Sequence, residues 1–190
     1  MGDRCASRRN WRSDIVHLAT LAPLARAALM SLALMRLLAP AHAADESELK
    51  AAIVFNVLVF IEWPDEQKTV DLCVSPDNAL LPALRRLDGR DLRDRTFRVQ
   101  ELRADSLPAA CNAAFVNAAD RMKYAALVKN LSDLGVFTIS DDAEAPPRST
   151  AIVMQRVGAR FALDVNMPAV RQARIHLSSK LLRLARAVRE

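Results

Sequence analysis

Apolar residues crowd the stretch 51–61, where only Asn56 interrupts them. Good helix formers flank that run, and Asp45 and Glu48 have the spacing of a capping box, so the pattern predicts one helix over residues 45–63. A helix that is apolar on nearly every side must be buried broadly, in its own core or against a partner. In that setting Asn56 is either a satisfied buried amide or a ligand contact. Glu62-Trp63-Pro64 ends the helix, because proline disfavours helical geometry in the residue before it.

Downstream the period changes to two. Residues 69–75 alternate Val70, Leu72 and Val74 with polar or small residues, which predicts a strand containing Cys73. Further strands are expected over 96–102, 111–117 and 136–140. A short helix over 79–87 tolerates Pro82 in its first turn and stops at the Asp88-Gly89 turn. A longer one over 121–134 has an apolar face of Met122, Ala125, Ala126, Leu127 and Leu131, with Gly135 at its C-cap. After a charged loop holding Pro146-Pro147, residues 150–157 and 160–165 read as a hairpin around Gly158-Ala159. Asn166 is placed to cap a short helix over 167–174, and Ser178 a last helix striped by Leu181, Ala185 and Val188. Strands interleaved with helices, followed by a late hairpin, predict an α/β fold. It is a single domain with a mixed, mostly parallel sheet, helices on both faces, and a C-terminal β-hairpin followed by helices.

The net charge of +5 would suggest nucleic acid or an anionic membrane if it belonged to the folded part. It does not. Residues 1–43 hold six arginines against Asp3 and Asp14, which leaves 44–190 nearly neutral with its charges intermixed. Such a body lacks the positive field that drives phosphate binding. The arginines open a leader whose apolar run, 27–39, is followed by Ala41-His42-Ala43, the form of a secretory signal cleaved after Ala43. That run is too short for a stable membrane anchor and carries Arg36, so no membrane insertion is expected after processing. Residues 1–43 are thus expected as signal peptide and 44–190 as an exported domain; a basic arm on a cytosolic protein is the alternative.

Of three cysteines, Cys5 leaves with such a leader, and Cys73 and Cys111 remain. In an oxidising compartment an even count favours a bridge, against two separately buried thiols. Histidine is scarce: outside the leader only His176 remains, with no nucleophile identifiable beside it. One histidine and two cysteines are too few for zinc. The glycines at 89, 135 and 158 are too scattered to wrap a phosphate. Asp141-Asp142-Ala143-Glu144 lacks the alternating ligands of a calcium loop. No catalytic residue, metal site or cofactor is therefore expected.

Lys50-Ala51-Ala52-Ile53-Val54-Phe55-Asn56, continuing through Phe60-Ile61-Glu62-Trp63-Pro64, resembles the opening signature of the YfiR family of periplasmic proteins. His176-Leu177-Ser178-Ser179-Lys180-Leu181-Leu182-Arg183-Leu184-Ala185 resembles its closing signature. Between them Leu72-Cys73-Val74, Gly89-Arg90, Cys111 before Phe115-Val116, and Phe161-Ala162-Leu163-Asp164-Val165-Asn166 fall in the expected order. The resemblance implies a non-enzymatic regulator that binds the periplasmic sensing region of an inner-membrane protein, a diguanylate cyclase or another membrane sensor, and represses it in cyclic-di-GMP signalling. It also implies a disulfide between Cys73 and Cys111. The second cysteine pair of some members has no counterpart, and Arg148-Ser149-Thr150 stands where the family carries paired glycines.

Candidate partner-binding or family-motif residues are then Asn56, Phe60, Glu62, Trp63, Pro64, Asn166, Ser178, Ser179, Lys180, Leu181 and Leu182. Trp63 is either an interface anchor or a plug in the core below the first helix. Self-association into a homodimer is a further use for surplus apolar surface. The competing functions are a periplasmic small-ligand receptor module for another membrane sensor and an enzyme with an unrecognised carboxylate or serine site.

Overall fold

The computed structural model describes residues 41–63, 68–102, 111–131 and 133–190, with side chains accounted for from Glu46 onward. The expected leader lies outside these residues except for its last three, and Pro64 lies outside them too.

The first helix, α1 (Ala41–Val59), begins before Asp45 and ends four residues short of Trp63. Its termination has a local cause. The Phe60 amide turns back to the Val57 carbonyl at 3.0 Å, and the Trp63 indole N–H donates to the Leu58 carbonyl at 3.0 Å. The indole thus satisfies one of the acceptors that every helix leaves open at its C-terminus. The chain then becomes extended as β1 (Ile61–Glu62).

The remaining elements are β2 (Thr69–Val74), α2 (Leu81–Arg85), β3 (Asp91–Leu92), β4 (Arg95–Glu101), β5 (Cys111–Val116), α3 (Ala118–Lys123), α4 (Ala125–Asn130) and β6 (Phe137–Ser140). They continue as β7 (Ile152–Val157), β8 (Arg160–Asn166), α5 (Met167–Gln172), β9 (His176–Leu177), α6 (Ser179–Leu184) and β10 (Ala187–Arg189). Eight strands form one sheet in the order β10-β8-β7-β6-β5-β2-β4-β3. Five of them, β7-β6-β5-β2-β4, run parallel, and β8 and β3 pair antiparallel at either side. The fold is therefore the mixed, mostly parallel α/β sheet that the sequence predicts.

Alternation along the strands divides the core into two layers. Val70, Leu72 and Val74 of β2, with Phe115, Phe137, Ile139, Ile152 and Met154, face α1, α2, α5 and α6. Cys73, Ala114 and Val116 face the other way, against Tyr124, Val128 and Leu131 of the α3–α4 segment. Helices therefore cover both faces. Each fully buried Leu, Ile or Phe contributes roughly 1.5–3 kcal/mol. At one edge, Asp88 and Arg90 close the open side of β4: the Val99 amide donates to Asp88 Oδ1 at 2.7 Å and the Phe97 amide to the Arg90 carbonyl at 2.9 Å. A strand edge satisfied in this way is a poor template for another chain.

Two further expected helices differ. The helix predicted over 121–134 starts earlier, at Ala118, because Asn117 and Asp120 form a capping box that the apolar pattern did not reveal. It also breaks at Tyr124, so its two halves turn different faces inward. The stripe of Leu181, Ala185 and Val188 is not a single helix face: α6 ends at Leu184, and Val188 lies in β10, parallel to β8. Arg186 makes that docking possible, with Nε and Nη2 donating to Asp164 at 2.9 and 2.5 Å and Nη2 also to Gln155 at 2.8 Å.

Cys73 and Cys111 are joined, with Cα atoms 5.8 Å apart and a sequence separation of 38. They sit on neighbouring parallel strands beside a bulge: Asp71 pairs with Cys111 and Leu72 with Ala113, which leaves Asn112 over. Asn112 Oδ1 accepts from the Asp71 amide at 2.8 Å, so the side chain supplies the acceptor that the bulge removes from the ladder. Reduction of this bond is expected to lower the free energy of unfolding by about 4 kcal/mol on the loop-entropy account. Urea denaturation with and without a phosphine reductant measures it, and coincident midpoints would show that the staple adds no stability.

Candidate functional site

The two segments singled out at opposite ends of the domain are brought together in space. β1 pairs antiparallel with β9, Ile61 opposite Leu177 and Glu62 opposite His176, and the Ser178 amide extends the ribbon by donating to the Phe60 carbonyl at 3.0 Å. Neither two-residue strand is visible in a hydrophobic pattern, because period two needs a longer run to be read.

Within this ribbon the candidate residues separate into support and surface. Trp63 is only 6% exposed and Leu181 only 1%, so both belong to the core beneath. Trp63 is therefore a plug that caps α1, and its carbonyl accepts from Arg95 Nη2 at 3.2 Å. Ser178 caps α6, its Oγ accepting from the Leu181 amide at 3.4 Å. Glu62, His176, Ser179 and Lys180 are exposed, with Phe60 and Leu182 half-buried among them and Leu184 65% exposed nearby in sequence.

Asn56 departs from the buried-amide reading: it faces outward on α1. The inward stripe of that helix is Ala51, Val54, Val57 and Leu58, so the helix is not buried all round. Asn166 lies elsewhere, at the end of β8, where its Nδ2 donates to the Thr150 carbonyl at 3.4 Å. It holds the N-cap position of α5 but makes no side-chain cap bond. It borders instead a cavity of about 210 Å³ lined also by Thr150, Gln155, Asp164 and Arg189.

Doubly wound sheets bind ligands at the carboxyl ends of strands where the order reverses, here between β2 and β5. That crevice is filled by the chain itself. Asn78 Nδ2 donates to Asp120 Oδ2 at 2.7 Å, Asn78 Oδ1 accepts from the Leu80 amide at 2.9 Å, and Ser75 Oγ meets Tyr124 Oη at 3.4 Å, all buried. Asp120 and Asn78 sit in no recognisable sequence pattern; only the crossing of the chain joins them.

Lys50, the first residue of the opening signature, anchors α1 to the sheet. Its Nζ donates to Asp141 Oδ2 at 2.9 Å, approaches Glu46 at 3.2 Å, and lies 5.6 Å from the Phe161 ring centre. Burial alone would lower the Lys50 pKa, but the two carboxylates outweigh it and the value is raised. Glu46 is correspondingly lowered, first by the Lys50 hydrogen bond and further by Arg156. At Arg148-Ser149-Thr150 the turn is made by the Pro146 carbonyl, which accepts from the Ser149 and Thr150 amides at 3.1 Å each.

Among the described residues no group of three or more His, Cys, Asp or Glu side chains is arranged to hold a metal, and no helix is long and apolar enough to cross a membrane. A parallel-centred sheet covered on both faces, stapled between two central strands and closed by a ribbon of its own ends, defines a disulfide-bonded three-layer α/β domain. The chain belongs to the YfiR/HmsC-like family, whose model matches residues 47–186. No curated protein matches it. One solved structure, a conserved domain protein from Vibrio cholerae O1 biovar El Tor strain N16961, is similar with a TM-score of 0.46 and 9% identity, over 75% of this chain and 60% of that one. The chain thus spans less than two thirds of that structure.

Ser178→Ala is expected to cost about 1 kcal/mol by removing the α6 cap, read as a lower urea midpoint at unchanged slope. An unaltered midpoint would mean that water replaces the cap. The lowered Glu46 value sets a pH dependence: its stabilisation is present above the ordinary glutamate range and is lost as pH falls through the lowered value. Glu46→Gln should therefore flatten the acid limb of stability against pH, and an unchanged limb would remove the linkage.

Proposed function

We propose that the chain is an exported periplasmic regulator, with residues 1–43 removed as a signal peptide, that binds the periplasmic sensing region of an inner-membrane signalling protein and holds it inactive. The partner class that fits best is a diguanylate cyclase. The observation that carries this reading is membership of the YfiR/HmsC-like family over residues 47–186. The disulfide supports it as well, since such bonds persist in oxidising compartments and are rare in the cytosol.

The proposed contact surface is the outward side of the β1–β9 ribbon. Phe60, Glu62, Ser179, Lys180 and Leu182 offer it a mixed apolar and charged face on rigid backbone, with Asn56 on the adjoining turn of α1. Trp63 and Leu181 hold that face from beneath. Trp63 acts through position, not contact.

A second reading, a small-ligand receptor module, draws on the cavity beside Asn166, whose lining is mixed polar and apolar. A ligand held there must raise the melting temperature of the native protein, so a thermal-shift screen separates the two readings.

Deleting the gene is expected to raise cellular cyclic-di-GMP, with wild-type protein restoring it. Paired charge reversals at exposed positions, Glu62→Lys with Lys180→Glu, should leave the domain folded and fail to restore it. Unchanged cyclic-di-GMP on deletion, with no membrane protein co-purifying, would remove the cyclase reading.

A further inference from the structure

The apolar face read from residues 121–134 is only partly used by the core. Val128 and Leu131 are buried, but Met122 is 79% exposed and Ala125 and Ala126 also face outward. The reason is the break at Tyr124, whose backbone (φ −116°, ψ 33°) leaves the helical region and lets Tyr124 itself turn inward. An exposed large apolar side chain costs free energy in water unless something covers it.

The uncovered residues do not stand alone. Met122, Ala125 and Val128 form one wall of an open groove of about 840 Å³, and Pro146 and Pro147 form the other. Two prolines make that wall stiff, while methionine is a flexible, polarisable side chain that adapts to what it touches. Arg121, Lys129 and Arg148 line the rim, and Asp142 and Glu144 stand just outside it, against Arg121. Arg121 is turned toward the acidic loop, its Nε 2.5 Å from Asp142 and its Nη2 3.5 Å from Glu144. Lys129, exposed in the last turn of α4, is placed to meet an incoming anion.

We infer that this groove is a docking site for an acidic amphipathic peptide segment of a protein partner, its apolar side chains seated against Met122 and the two prolines and its carboxylates at the basic rim. Charge complementarity selects the occupant: an apolar floor whose lining carries three cations, with exposed Lys129 away from the acidic loop, favours apolar residues interleaved with Glu or Asp over a neutral or basic segment. The groove opens to solvent, which suits a segment of another chain better than an enclosed small molecule. The inference deepens the regulatory reading, on which it rests for the partner being a protein. It supplies a second contact on an element separate in sequence from the β1–β9 ribbon.

The test places a benzophenone photo-crosslinker at Met122 in the full chain, in cells, and sequences the cross-linked peptide by mass spectrometry. The expected adduct is a segment of another protein in which apolar residues alternate at helical or strand spacing with Glu or Asp, and Lys129→Glu is expected to reduce its yield at least tenfold. Met122 is largely exposed, so neither change should unfold the domain; an unchanged urea midpoint checks this. An adduct with a second copy of this chain, with lipid only, or with a segment lacking acidic residues overturns the inference, as does no adduct or a yield insensitive to Lys129→Glu. If the acidic segment is captured from a protein with no signalling role, the regulatory reading falls and the docking site stands. If deletion raises cyclic-di-GMP but Met122 captures nothing, the reverse holds.

Discussion

Burial of β2 on both faces is the constraint from which the architecture follows. Val70, Leu72 and Val74 enter one core layer and Cys73 the other, while β4 and β5 take up the hydrogen bonds on its two sides. A strand so enclosed can only sit at the centre of a sheet with helices above and below. The disulfide reinforces that position, because it ties β2 to β5 at the bulge where the ladder itself is weakest. The polar groups that must still be buried there are satisfied internally, Asp71 by Thr69 and Gln100 and Asp120 by Asn78. Unpaired, each would cost on the order of 1–3 kcal/mol.

The same economy explains why the place where such sheets commonly hold ligands is closed in this chain. Asn78, Asp120, Ser75 and Tyr124 bond to one another across the reversal between β2 and β5. The two surfaces proposed for recognition lie outside it, on the β1–β9 ribbon and on the flank of α3 and α4. Both are supported by rigid neighbours: Trp63 and Leu181 lie under the first, and the capping box of Asn117 and Asp120 sets the second. Side chains held on such supports have little conformational freedom left to lose.

The longer strands, β2, β4, β5, β6, β7 and β8, were legible in the sequence as short apolar or alternating runs, because their successive side chains enter opposite layers. The short ones were not. β1, β3, β9 and β10 have two or three residues each, and what fixes them is pairing with a distant segment, as Glu62 pairs with His176. Asn56 was misplaced for a related reason: its apolar neighbours surround it in sequence, yet the helix turns it away from the stripe of Val54, Val57 and Leu58. The break at Tyr124 likewise depends on Tyr124 finding Ser75 and a buried site, which no local pattern announces. Asn166 and the ribbon residues share a family signature but not a location.

The ribbon between β1 and β9 also governs the order in which the molecule can be completed. A chain made from its N-terminus presents α1 and Ile61 more than a hundred positions before Leu177 exists to pair with them. Contacts so far apart form late and slow folding, and apolar surface stands uncovered meanwhile. Truncation anywhere before His176 leaves β1 without its strand partner and removes the Leu181 side chain that completes the core beneath it.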